Sequence, residues 1–275
     1  FVGKSPTGSR ASDTSIEAAT AIVQLRAKDI VFRRCTFRYD GHFELAGTAI
    51  RWTHSTIKLT SIDELPSPAR LTLENCVFCN LTTGVEGGPS VPKQIEIKNS
   101  LYVGSGPFWR MASWPSLDEP VALSVRGSTF RDMTALVEFL CYASLEENKD
   151  TPGRFSVDAG DCVFSPAEGG AMLKIVDRME DLTSSNRPST QSNFSKLFRA
   201  FTWTGQDSLF AASSPFVVHS EITGRAATFE DIDVRIEGLS RGEFQFAGPA
   251  SGSPDASRLI RWTGPRRSAD PPGFR

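Results

Sequence analysis

The sequence predicts an all-β chain: a parallel β-helix, wound as a single-stranded solenoid of about six to eight coils, with irregular loops and capped ends. Three observations predict it. A short pattern recurs six times, its copies are unequally spaced, and a second apolar segment accompanies most of them.

The pattern reads apolar, any, apolar, polar, small polar, Cys or Ser, any, aromatic. Four copies have this length. They start at Ile30, Leu71, Ile95 and Leu123, as in Leu71-Thr72-Leu73-Glu74-Asn75-Cys76-Val77-Phe78 and Ile95-Glu96-Ile97-Lys98-Asn99-Ser100-Leu101-Tyr102. Two later copies, from Phe155 to Phe164 and from Phe201 to Phe210, carry two extra residues each. Alternation over the first four positions makes a strand with one buried face. The phase then slips by one, because the Cys or Ser and the aromatic two places later are again of the inward type. A slip needs a corner, and Asn75, Asn99, Gly127 and Gly160 are corner-forming residues. Each copy is therefore strand, corner, strand. The small Cys or Ser fits where two walls meet closely, and the ring fills the wider interior.

Spacing selects the architecture. The Cys or Ser position falls at 35, 76, 100, 128, 162 and 208, in steps of 41, 24, 28, 34 and 46. A propeller demands near-constant blades of about 40 residues. A solenoid tolerates unequal turns, since each turn touches only its neighbours and insertions leave as loops. The segment Trp52-Thr53-His54-Ser55-Thr56-Ile57 also fits loosely, and would split the first step into 20 and 21. A second wall comes from Ala49-Ile50-Arg51-Trp52, Ala135-Leu136-Val137-Glu138-Phe139 and Ala171-Met172-Leu173-Lys174-Ile175, with Ala21-Ile22-Val23-Gln24-Leu25 ahead of the first copy.

One domain over 1–275 follows, with a cap at 1–20, coils over 21–218 and an irregular segment at 219–275. Thr14 and Glu17 have capping-box spacing for a short helix, against an early irregular strand. Near the other end, 248–254 reads as a loop and Asp270-Pro271-Pro272-Gly273 as a frayed tail. Insertions fall at 142–153, 177–196 and 103–120. The last holds Phe108, Trp109, Arg110 and Trp114. Exposed Trp on a loop stacks on a sugar face; the commoner fate of such rings is to fill a gap between coils.

The repeat resembles that of right-handed parallel β-helix proteins, the pectate-lyase-like group, over Ala21 to Val218. A fainter resemblance is to β-helical regions of large planctomycete-type bacterial proteins, some described as serine/threonine kinase-like, whose short coils end in Cys-x-Phe or Trp-x-Gly-x-x-Asn-x-Tyr/Phe. Cys76-Val77-Phe78, Cys162-Val163-Phe164 and Trp203-Thr204-Gly205 carry it, with Ser208 in place of the Asn. No glycine-rich loop, His-Arg-Asp or Asp-Phe-Gly is present, so a kinase, if there is one, lies outside this piece.

Stacking the copies aligns their fourth positions into an outward column: Arg33, Glu74, Lys98, Arg126, Asp158 and Thr204. In pectate-lyase-like enzymes such a wall carries the substrate groove. By that resemblance, Arg126 beside Lys98 would take the C5 proton of a uronate, and Glu74 or Asp158 would hold Ca²⁺. Asp158 with Asp161 offers the paired carboxylates of a glycosidase. The plainer reading is a surface ladder of opposite charges that opposes mis-registration. Asp207 repeats Asp161 one coil on, which favours a turn role for both. The weak catalytic candidates are thus Lys98, Arg126 and Asp158. The weak ligand-binding candidates are Glu74, Trp109, Arg110 and Trp114.

Other classes are excluded or disfavoured. With 30 Lys+Arg against 32 Asp+Glu, the chain lacks the basic excess of a nucleic-acid or anionic-membrane binder. Its apolar runs are too short to insert in a bilayer. Cys35, Cys76, Cys79, Cys141 and Cys162 are odd in number and fit no small disulfide scaffold; the single Cys76-Val77-Phe78-Cys79 lacks further zinc ligands. His42, His54 and His219 stand in no ligand spacing. The polygalacturonase-type Asn-Thr-Asp, Asp-Asp and Gly-His-Gly and the pectate-lyase Arg-x-Pro-x-x-Arg are absent.

The expectation is a non-catalytic structural or binding module, with polysaccharide as the candidate partner and no cofactor or metal. The start at Phe1 reads as a piece of a longer bacterial protein, with the rest of that protein as a further partner and a surface or extracytoplasmic setting. The alternative is a polysaccharide lyase or glycoside hydrolase acting on acidic polysaccharide, with Ca²⁺ only in the lyase case.

Overall fold

A computed structural model describes residues 2–3, 21–25, 27, 29–39, 47–52, 69–87, 93–112, 114–115, 120–142, 153–178, 200–211, 213–220, 225–227 and 236–242. Over these residues the chain is all-β and without a helix, with parallel sheets apart from one antiparallel pair, Val217–Ser220 with Arg225–Ala227. The strands stand in three columns.

The first column is a six-stranded parallel sheet built from Asp29–Arg33, Ala69–Glu74, Lys93–Lys98, Val121–Arg126, Phe155–Gly160 and Phe201–Gln206, each paired with the next. These are the first halves of the six sequence copies. Their alternation is the alternation of burial: Leu71, Leu73, Ile95, Ile97, Leu123 and Val125 point into the core, while Glu74, Glu96, Lys98 and Arg126 lie on the outer face.

The second column starts directly after each corner. It comprises Thr36–Tyr39, Val77–Cys79, Leu101–Val103, the first residues of Thr129–Tyr142 and Val163–Arg178, then Ser208–Ala211 and Leu239–Gly242, with Val2–Gly3 pairing ahead of Thr36–Tyr39. Phe37, Phe78, Tyr102, Phe130, Phe164 and Phe210 are stacked in register and buried. Phe37 and Phe78 stack at 4.7 Å, as do Phe130 and Phe164 at 5.4 Å. Between these pairs Phe108 drives its edge against Tyr102 and Phe130 and opens their spacing to 6.5 Å.

The third column contains Ala21–Leu25, Thr48–Trp52, Thr83–Gly87, Trp109–Met111, the latter parts of the two long strands, and Val217–Ser220. The long strands cross from the second column to the third through register shifts around Met133, with Asp132 in the left-handed region at φ 57.

The corner between the first and second columns is the same in all six copies. One residue takes positive φ: Arg34, Asn75, Asn99, Gly127, Asp161 and Asp207, all between 45 and 55°. The residue after it points inward, and in the serine rungs its hydroxyl bonds both ways. Ser100 Oγ donates to Lys98 O at 2.8 Å and accepts from Cys76 N at 3.0 Å. Ser128 Oγ donates to Arg126 O at 2.8 Å and accepts from Ser100 N at 3.0 Å. Cys76, Ser100 and Ser128 are therefore vertical neighbours, as the repeat requires.

Two expectations are corrected, at the fifth corner and in the 103–120 insertion. In the fifth copy Asp161, not Gly160, makes the corner; Gly160 is the last residue of its strand. Across the 41-residue step, where the sequence leaves the register open, Arg33 pairs directly with Glu74 and Thr36 with Val77. The insertion at 103–120 contains a third-column strand, Trp109–Met111. Past Val218 the pairing is mixed: Val217–Ser220 pairs antiparallel with Arg225–Ala227, while Leu239–Gly242 pairs parallel with Ser208–Ala211. The capping-box segment 14–19, the loop at 248–254, the tail and nearly all of the two other insertions lie outside the described residues, as do His42 and His54.

Candidate functional site

The outer face of the first column is where the weak catalytic candidates were placed. Lys98 and Arg126 are direct neighbours, and Glu74 lies beneath Lys98. Asp158 does not continue this line. The register pairs Arg126 with Gly160 and Ser124 with Asp158. The columns are therefore Arg33, Glu74, Lys98, Arg126, Gly160, Gln206 and, beside it, Val31, Thr72, Glu96, Ser124, Asp158, Thr204. The physical reason lies in the two extra residues of the longer copies. They extend the strand to the corner instead of enlarging the corner, so the fourth position falls one column back.

Asp158 still meets Arg126, diagonally. Gly160 leaves the surface above Arg126 bare: a Cβ there would stand 3.0 Å from Arg126 Cδ. The guanidinium lies across it, donating from Nη1 to Asp158 O at 3.0 Å and from Nη2 to Asp158 Oδ2. Lys98 Nζ stands 2.7 Å from Glu96 Oε1 on its own strand. Arg33 Nε donates to Glu74 Oε2 at 2.9 Å. Each candidate charge on this face is thus held by an opposite one. A cation at Glu74 or Asp158 would have to displace Arg33 or Arg126. Among the described residues no group of three or more His, Cys, Asp and Glu could hold a metal ion.

Asp161 and Asp207 occupy the corner itself, where their left-handed backbone places them as turn residues. Asn75 and Asn99 do the same lower down, and Asn99 Nδ2 donates a hydrogen bond to Asn75 Oδ1 at 2.6 Å.

Trp109 and Trp114 are both in the core. Trp109 is fully buried on its strand, with its ring 6.3 Å from that of Phe155. Trp114 packs against Phe139 with the rings tilted and their centroids 4.5 Å apart, and donates from Nε1 to Gly153 O at 3.0 Å. Neither presents a face to solvent, which is the gap-filling arrangement.

Arg110 belongs to a second ladder that the sequence reading missed. Along the third column the outward positions are Arg51, Glu86, Arg110, Glu138 and Lys174, alternating in sign at every rung. Arg51 Nε donates to Glu86 Oε2 at 3.1 Å, Arg110 Nε donates to Glu138 Oε1 at 2.6 Å, and Lys174 Nζ stands 3.6 Å from Glu138 Oε2. Glu138 is nearly buried, at 4% exposure, so its two cations matter more than those of an open surface pair. The signal was present as one charge between two apolar residues in each segment, from Ile50-Arg51-Trp52 to Leu173-Lys174-Ile175.

No protein-family model matches the chain, and no curated protein or solved structure matches it. Among the described residues no helix is long and apolar enough to cross a membrane.

Proposed function

We propose that the three columns are the walls of a right-handed parallel β-helix of the pectate-lyase-like kind, and that it serves as a non-catalytic structural and binding module of a larger bacterial protein. The pairing of charges on the first column carries this reading. A proton-abstracting Arg or Lys, or a glycosidase carboxylate, must face its substrate with free lone pairs or an unshared proton. Lys98, Arg126, Asp158 and Glu74 instead face one another or their neighbours across a regular sheet. With Trp109 and Trp114 inside, the face we assign to a polysaccharide is this mixed-charge wall, where Thr72, Ser124 and Thr204 offer hydroxyls between the ion pairs.

Two measurements test it. On a glycan array the chain binds acidic or neutral polysaccharide, and loss of Glu74, Lys98 and Arg126 together reduces that binding. Absence of binding above background removes the carbohydrate part and leaves the structural role. Incubation with uronate polymers gives no unsaturated product and no new reducing ends. Turnover that disappears in Arg126→Ala or Asp158→Ala would replace the module with an enzyme.

A further inference from the structure

Six inward positions follow the six left-handed corners, and they carry Cys35, Cys76, Ser100, Ser128, Cys162 and Ser208. Only the first two rungs set one thiol on another. Val77 N donates to Cys35 O at 2.9 Å, and Thr36 and Phe37 pair in register with Val77 and Phe78, so Cys35 and Cys76 are vertical neighbours. Cys35 Sγ donates to Arg33 O at 3.3 Å, and Cys76 Sγ to Phe32 O and Glu74 O, each at 3.5 Å, so that both thiols turn back over the strands that precede their corners, and the Cys35 side chain lies against the Cys76 thiol. Both thiols are free, Cys35 half-buried and Cys76 fully buried. Adjacent strands at about 4.8 Å put the two Cα atoms within the span of a disulfide. The remaining described thiols lack this relationship: Cys162 stands between Ser128 and Ser208, and Cys79 between Arg38 and Val103.

We propose that Cys35 and Cys76 form a peroxide-responsive thiol pair, in which Cys35 is oxidised first and Cys76 resolves it into a disulfide that ties one rung to the next. Cys35 thiolate attacks hydrogen peroxide; a sulfur–oxygen bond forms, the oxygen–oxygen bond breaks, and hydroxide leaves with a proton as water. The sulfur has lost two electrons and is a sulfenic acid. Cys76 then gives up its proton and attacks that sulfur; the sulfur–sulfur bond forms and the sulfenic oxygen departs as a second water. In sum, two thiols and one peroxide give one disulfide and two waters. Exposure assigns the order, since only Cys35 is within reach of solvent. Burial pushes the Cys76 thiol above its ordinary value, and the Cys35 thiol beside it adds to the effect, which suits the resolving partner more than the attacking one.

The test is peroxide treatment of the full chain followed by alkylation and peptide mass spectrometry. The expected product joins the peptide of Cys35 to that of Cys76, with Cys79 and Cys162 still reduced. In Cys76→Ser, Cys35 accumulates as a sulfenic acid captured by dimedone; in Cys35→Ser, Cys76 stays reduced. Both variants retain the fold, because serine occupies the equivalent position in three other rungs. In the oxidised chain, proteolysis of the first rungs slows severalfold. The proposal is overturned if Cys35 passes directly to sulfinic acid in the unsubstituted chain, if both thiols survive while methionine oxidises, or if Cys76 links to a different cysteine.

Discussion

Arg126 lies across Gly160 and closes on Asp158, one rung along and one column over. The glycine is what permits it. Gly160→Val sets a Cβ 3.0 Å from Arg126 Cδ and crowds the side chain that reaches the carboxylate. Because both side chains are more than 40% exposed, the pair itself contributes less than about 1 kcal/mol. A double-mutant cycle on Arg126→Ala and Asp158→Ala in urea should return a coupling of that small size, decreasing with salt.

Arg34 is the one corner residue with a long side chain in the left-handed region, at φ 54. Four of the other corners use Asn or Asp and one uses Gly, which accept that conformation at lower cost. Arg34→Asn should raise stability by about 0.5–1 kcal/mol, read as a higher midpoint of thermal or urea unfolding. The ion pair between Arg33 and Glu74 is left in place, so the gain reports on the backbone.

Ser128 supplies the acceptor for the buried N–H of Ser100 and spends its own proton on Arg126 O. Ser128→Ala leaves that N–H unpaired and should cost about 1–3 kcal/mol, more than the loss of a surface hydroxyl. Ser128→Cys should cost less, since a thiol fills the same position in Cys35, Cys76 and Cys162. Urea midpoints of the two variants give the comparison directly.

Burial pushes the Cys162 thiol up to about 12 and the Cys79 thiol up to about 11, from an ordinary 9. The folded chain therefore holds protons that the unfolded chain releases above pH 9. This contribution to stability is complete below pH 9 and falls away as pH rises through 11 to 12. Unfolding free energy should decline over that window, and Cys162→Ser should flatten part of the decline. Alkylation of the folded chain at pH 8 should spare both thiols until denaturant is added.

The repeat could be read because it rests on local rules. Alternation gives the strand, Asn and Gly give the corner, and the small residue and ring give the interior; each copy states all of this within ten residues or fewer. The register between rungs is a different kind of fact. Whether the two extra residues near Asp158 lengthen the strand or widen the corner depends on where Asp161 turns, and Gly160 looked the better corner former by composition. Trp109 was hidden for a related reason. Only three residues of its rung form the third-column strand, too few for periodicity to stand out from a loop. The charge ladder through Arg110 and Glu138 needed that strand in place before its alternation of sign could be seen. The outer charges at Glu74, Lys98 and Arg126 were legible as a group, but which partner each would choose depends on side-chain reach across the pleat.

Between the first and second columns the chain always bends on one residue of fixed handedness, whereas the way back from the third column to the first is short at Gly87 to Lys93 and long at Arg178 to Phe201. The connections between columns are therefore unequal in their tolerance of change. One seam has a length that cannot vary without unseating the serine and cysteine bonds behind it, and the other absorbs added sequence at little thermodynamic expense. Descendants of such a chain would acquire new loops, and with them new surfaces, away from that fixed corner.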